Sequence, residues 1–238
     1  GRDLVVRLAE AGWRVRAAAR RTAAIPAGAA IEPVPLTDLA DPAVDWAPLL
    51  AGVTHVVHLA AIAQEHARVA DAAYAAINIA AAASLAAAAR ARGVTRLVLV
   101  SSVRAQSGPA AMHVLSAADP PLPADRYGRS KLAGERAVAA ELAGTATGLV
   151  VLRPPLIYGK GVGGNIGALI RLARWPLPLP LAGLDARRSI LSLANLASAI
   201  RHALEAPGLV ATPYLVADAD AMTAAEIITA LRQGLDRP

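Results

Sequence analysis

The chain has 238 residues, enough for one large α/β domain with a core of its own, and a hydrophobic content of 55% excludes general disorder. It holds no cysteine, which excludes a disulfide framework, a thiolate metal site and a cysteine nucleophile, and no metal site is expected. A formal charge of +6 raises the question of a nucleic-acid partner.

The basic residues answer it: nearly all are arginine, they are scattered, and no run is interleaved with aromatics, so no nucleic acid is expected. Alanine-rich, arginine-rich and lysine-poor usage reads as a compositional bias of the source genome. The most apolar stretch, 79–89, falls short of the roughly 20 residues that a membrane span needs. With no secretory signal at the N terminus either, the expectation is a cytoplasmic protein without a membrane partner.

In chain order, Leu4, Val5 and Leu8 form a helical stripe that closes near Gly12. Residues 13–19 alternate Trp, Val and Ala with Arg14 and Arg16 and predict a strand, as do 31–35 and 55–59 (HVVHL). A long helix follows over about 70–90, then a buried-type strand at 96–101 (RLVLVS). Leu132, Ala133, Val138 and Leu142 place 127–142 on a helix, and 148–153 (GLVVLR) is the next strand. Strands alternating with helices predict an α/β fold with a doubly wound parallel sheet.

After Pro154 proline and glycine become dense, which predicts loops and a smaller lobe. Regular structure resumes around 189–193, 196–204, 214–216 and 224–235. The expected division is a nucleotide-binding domain over 1–155, joined by about 189–210, and a substrate lobe over 156–188 and 211–238. The chain opens at Gly1 already on a helix, whereas a doubly wound nucleotide-binding fold has a strand and a glycine-rich turn just before it. The N-terminal strand and turn are therefore read as missing, with Gly1 as the turn's last glycine.

The strongest chemical signal is Tyr127-Gly128-Arg129-Ser130-Lys131. Positions i and i+4 share a helix face, where a lysine can lower the phenol's pKa and also reach a cofactor ribose. The tyrosine then serves as acid or base toward a carbonyl or alcohol. With four tyrosines and only Lys131 and Lys160 as lysines, this spacing is expected by chance roughly 0.03 times. Ser101 and Ser102 close the strand before it, at the end of a parallel sheet where sites gather. Alone, such a serine would usually be a turn cap.

HLAA (58–61), Asn78, LVLVSS (97–102), YGRSK (127–131) and LRPPLIYGKGVGGN (152–165), together with RRSILSLANLASAI (187–200), resemble the extended short-chain dehydrogenase/reductases. The resemblance runs over nearly the whole chain and is greatest to nucleotide-sugar epimerases, dehydratases and 4-keto reductases. It implies a Rossmann-like fold with Tyr127 as acid/base, Lys131 as its partner and ribose ligand, and Ser102 as donor to the substrate oxygen, with Ser101 as runner-up. It also implies cofactor contacts from Gly1, Asp38, Leu39, Leu59, Ala60, Ala61, Asn78, Ser101, Pro154 and Leu156, with Arg153 beside the nicotinamide. Asn165 and Arg188 would face the sugar nucleotide, expected to be UDP-linked.

The cofactor is NAD or NADP. An acid at the end of the second strand would favour NAD, and Arg20-Arg21 stands there instead, which tilts the expectation toward NADP. Epimerase and 4-keto reductase stay open, as does a non-catalytic NAD(P)-binding sensor or assembly factor. A dehydratase would want acids after the strand-end serines, where Val103-Arg104 stands. Homodimers formed through the Tyr127 helix are what the resemblance implies for assembly.

Overall fold

The computed structural model describes residues 1–63, 69–161, 163–176, 179–181, 183–209 and 212–235, without the side chains of 164 and 165. The chain divides into two compact units, Gly1–Arg153 with Ala197–Leu215, and Pro154–Leu196 with Val216–Pro238.

The first unit opens with α1 (Arg2–Glu10), β1 (Val15–Ala19), β2 (Ile31–Pro35), the short α2 (Ala47–Leu50) and β3 (His55–His58). A continuous helical rod follows in three parts: α3 (Asp71–Tyr74), a π-helical turn (Ala75–Ala80) and α4 (Ala81–Ala91). Then come β4 (Arg96–Val100), α5 (Arg126–Leu142) and β5 (Gly148–Arg153). All strand pairs are parallel: β1 with β2, and β3-β4-β5 in that order with a late strand, β8 (Pro213–Leu215), beyond β5. Parallel pairs need crossovers, and the helical rod and α5 supply those on either side of β4. The fold is α/β and Rossmann-like.

Leu97, Val98 and Leu99 of β4 and Leu149, Val150 and Val151 of β5 are buried, as expected of strands covered on both faces. Leu97, Leu99, Leu149 and Val151 join one core with Trp46, Leu50, Leu85, Ala86, Ala89, Val138 and Leu142. The rod 71–91 is, by length and composition, apolar enough to cross a membrane, a property the expected apolar stretch of 79–89 understated. Its alanines have another use: Ala81, Ala82, Ala86 and Ala89 are buried and let α4 lie close against α5. At the contact, a Cβ on Gly134 would collide with the carbonyl of Asn78, so α5 needs a glycine there.

In the second unit, β6 (Leu156–Tyr158) pairs in parallel with β7 (Ile190–Ser192), and α6 (Gly164–Ala173) packs on α8 (Ala224–Gln233). After β7 the chain enters α7 (Leu193–Glu205), whose later residues belong to the first unit. Thr223 starts α8 with a reciprocal cap: Glu226 N–H donates to Thr223 Oγ1 at 3.2 Å and Thr223 N–H to Glu226 Oε2 at 2.7 Å. The segment expected to be loops therefore contains a strand and a helix. Ile166, Leu169, Ile170 and Ala173 carry the helical period, but the surrounding glycines and prolines obscured it.

Candidate active site

The site starts where α5 begins. Asp125 caps the helix, accepting from the Gly128 N–H at 2.6 Å, and its carboxylate pairs with Arg104. A Cβ on Gly128 would meet the Arg104 carbonyl, so glycine lets the first turn of α5 press onto the 3-10 turn Val103–Ala105. Ser102 caps that turn, accepting from the Arg104 N–H at 3.2 Å. It is thus the turn cap that a strand-end serine usually is. Its hydroxyl is also hydrogen-bonded to Tyr127.

Burial pushes the Tyr127 phenol up from its ordinary value, while the Ser102 hydrogen bond and the Arg104 charge draw it down. Arg104, on the turn below, is a cation that bears on the phenol. Lys131 is itself buried, and Nζ donates to the Val100 carbonyl at 3.0 Å. Burial lowers its ammonium to about 8, against the opposing charge of Glu135 one turn further on. His58, at the end of β3, is lowered to about 4 by burial, with a smaller contribution from Lys131.

Ser101 has a different allegiance. Its N–H continues the β4–β5 ladder to the Leu152 carbonyl at 2.7 Å, and its hydroxyl donates to the buried carboxylate of Glu135. Arg153 turns its guanidinium into the same carboxylate, through Nε at 3.0 Å and Nη2 at 2.6 Å. Asn78 lies on the π-helical turn, a feature that often marks functional sites. Its Oδ1 accepts from the Ile62 N–H at 2.8 Å, and its Nδ2 donates to Ser130 Oγ at 2.9 Å.

The other expected residues fall as follows. Gly1 is the N-cap of α1, and a Cβ there would come within 3.7 Å of Leu59 Cδ1. Leu59 is partly exposed, and Ala60 and Ala61 continue the loop after β3. Arg20 and Arg21 are exposed just beyond β1. Asp38 forms a local turn, accepting from Ala40 N–H at 3.1 Å, and Leu39 points into the core. In the second unit, Pro154 is buried, Leu156 lies on β6, and Arg188 is exposed with its backbone bridged to Met222. Asn165 is the second residue of α6, and its side chain lies outside the described residues. Arg104, Gln106 and Glu135 were not singled out from the sequence as site residues. Glu135 was findable, standing four residues after Lys131 on the same helical face.

Residues 1–217 match the family model described as the NAD dependent epimerase/dehydratase family. The chain belongs to this family. It is 30% identical over 167 residues to a UDP-glucose 4-epimerase of Vibrio cholerae, covering 69% of this chain and 51% of that protein. It is 34% identical over 200 residues to a ceramide reductase of Caulobacter vibrioides (strain NA1000 / CB15N), covering 83% and 55%. The chain thus spans about half the length of these curated relatives.

Among solved structures, MoeE5 in complex with UDP-glucose and NAD superposes with a TM-score of 0.84 at 26% identity, over 99% of this chain and 78% of that one. The UDP-glucose 4-epimerase of Thermus thermophilus in complex with NAD shares the fold, with a TM-score of 0.81 at 22% identity over 100% and 80%.

Proposed function

We propose that this chain forms the catalytic part of an NAD-dependent nucleotide-sugar epimerase or 4-keto reductase, with Tyr127 as acid/base. The observation that carries the reading is the single cluster of Tyr127, its partner Ser102, and Lys131 one turn further along α5. Family membership and the UDP-sugars and NAD named for MoeE5 support the substrate and cofactor class.

The fit to a dinucleotide can be tested on Lys131. Its ammonium has three donors, and among the described residues its one hydrogen bond goes to Val100, which leaves donors for ribose hydroxyls. The N–H groups of the first turn of α1, which Gly1 caps, would hold the pyrophosphate. A bound nicotinamide would supply hydride exchange with a sugar carbon.

The protein's own part is proton transfer. Tyr127 gives its proton to a developing alkoxide on the sugar, or takes one from an alcohol, and Ser102 hydrogen-bonds the same oxygen. Burial keeps the phenol protonated, so the site as it stands suits donation to a carbonyl. Removing a proton from an alcohol needs extra positive charge nearby, which Arg104 and Lys131 are placed to provide.

Incubating the full-length protein with a UDP-4-keto-sugar and reduced cofactor, and following cofactor absorbance, tests the reading. Oxidation abolished in Tyr127→Phe supports a reductase. Interconversion of UDP-sugars at C4 without net oxidation supports an epimerase. Turnover by neither route with cofactor still bound would favour the non-catalytic sensor or assembly factor.

A second reading is a reductase acting on a ceramide-type lipid. The ceramide reductase match covers more of this chain, at higher identity, than the epimerase match. Met112, Val114 and Leu122 are also exposed on the loop before α5. A keto-lipid offered in detergent, in place of the UDP-sugar, discriminates the two. The homodimer expected through α5 is checked by light scattering.

A further inference from the structure

Tyr127, Lys131 and Glu135 stand at i, i+4 and i+8 on α5 and therefore share one face. Glu135 and Arg153 are each only 4% exposed. All three nitrogens of the Arg153 fork are engaged: Nε and Nη2 with Glu135, and Nη1 with Gln106 Oε1 at 2.8 Å. Gln106 is held in turn by the Asp119 carbonyl, to which Nε2 donates at 3.2 Å. The Ser101 hydroxyl donates to Glu135 Oε1, the oxygen that also accepts from Arg153 Nε.

A buried ion pair is weak evidence of stabilisation, because a packed apolar pair often serves the fold as well. What an apolar pair cannot supply is an anion beside the one buried lysine. We infer that Glu135, clamped by Arg153, is a positioning residue for the candidate active site. It acts through Lys131, which it holds as a cation, and through Ser101, whose hydroxyl it keeps turned away from Tyr127.

The groups that face Lys131 make this assignment specific. From β3 comes His58, which burial keeps neutral at neutral pH. From β4 comes the Val100 carbonyl, an uncharged acceptor. Arg153 on β5 is engaged with Glu135. On its own helix Lys131 has the neutral phenol of Tyr127 one turn before it and Glu135 one turn after. Glu135 is therefore the anion that opposes desolvation of the ammonium.

The inference rests on the proposed roles of Tyr127 and Lys131, and its test needs neither substrate nor cofactor. The chain has two lysines, Lys131 and the exposed Lys160, so lysine labelled with 13C at Cε gives two signals from these residues, and Lys160→Arg assigns them. Lys131 in the parent protein should titrate near 8, below the ordinary lysine value of 10.5.

Glu135→Gln keeps acceptor and volume but removes the charge, and should move the Lys131 midpoint down by about one pH unit or more. Glu135→Asp keeps the charge and should move it less. The paired variant Glu135→Gln with Arg153→Gln leaves no unpaired buried charge, so it guards against loss of the fold, and should also move the midpoint down. A chain that unfolds betrays itself by moving the opposite way, toward the ordinary lysine value of 10.5.

An unmoved Lys131 midpoint in either folded Gln variant overturns the inference, whatever the enzyme's substrate proves to be. Where turnover is found, the alkaline limb of the Glu135→Gln rate profile should shift down with the midpoint, with kcat reduced and substrate KM little changed. Failure of that limb to follow a shifted midpoint would count against the catalytic reading of Lys131 and leave Glu135 as its counter-ion.

Discussion

Asn78 donates its side-chain amide to Ser130 Oγ at 2.9 Å, across a separation of 52 residues, and the Ser130 hydroxyl donates in turn to the Tyr127 carbonyl at 2.7 Å. The same amide brackets Ile62, accepting from its N–H and donating to its carbonyl. One buried side chain thus ties the loop after β3 to the helix that carries Tyr127 and Lys131. The π-helical turn places Asn78 inward, at the point where Gly134 lets α5 approach.

Asn78→Ala should destabilise the protein by about 3 kcal/mol, since it strips buried partners from both Ile62 and Ser130. Asn78→Asp keeps the acceptor for Ile62 and loses the donor to Ser130, so its cost should be distinct. Urea unfolding of the two variants measures this.

Gly134→Ala puts a methyl group against the Asn78 carbonyl. In an ordinary helix this change is stabilising, by up to about 1 kcal/mol. Here the sign should reverse, to a loss of about 2 kcal/mol or more, because two backbones must separate. A raised thermal midpoint would show that α5 and the π-helical turn do not meet as described.

His58 titrates at about 4 in the folded protein against an ordinary 6.5. The folded pKa is depressed, so the unfolded chain binds the proton more readily. The stability this neutral histidine secures is present in full above pH 6.5 and is lost as pH falls toward 4, by roughly 3 kcal/mol. Carboxylates titrate in the same window. The measurement is therefore the difference between parent and His58→Gln unfolding curves at pH 4 and pH 7, which should shrink at the acid end.

Tyr127→Phe should leave the fold intact and lower turnover by about 100-fold to 10,000-fold, the usual worth of a positioned acid/base. Ser102→Ala should cost less and also weaken the turn it caps. Ser101→Ala should affect stability more than rate, since its hydroxyl is committed to Glu135. Steady-state kinetics set beside melting curves separate the three.

The exposed Arg20 and Arg21 bear on cofactor choice. The solved relatives named above carry NAD, and that is the cofactor proposed here. Dissociation constants for NADH and NADPH, in the parent and in Arg20→Ala with Arg21→Ala, decide the point. Tighter NADH binding unaffected by the double variant would leave the arginines as solvated surface. An NADPH preference lost in the variant would restore the reading drawn from the sequence.

Much of this molecule is legible in its sequence. Nearly continuous apolar runs identify β4 and β5, because both faces of these parallel strands are buried, while alternation marks β1 and helical spacing marks α5. The spacing of Tyr127 and Lys131 is local, and a helix alone puts them on one face. What the sequence could not determine is whatever depends on contacts between distant segments. Two adjacent serines look alike in sequence. In the fold, alternation along an extended chain sends Ser101 toward Glu135 and Ser102 toward Tyr127. Leu39 turns into the core and Arg153 pairs with Glu135, because burial of an apolar chain and pairing of a buried charge depend on what surrounds them. Sequence determined the elements and the chemistry carried by α5. Only the tertiary structure decided which charges stand around that chemistry, since electrostatics in a buried site follows distance through space and not separation along the chain.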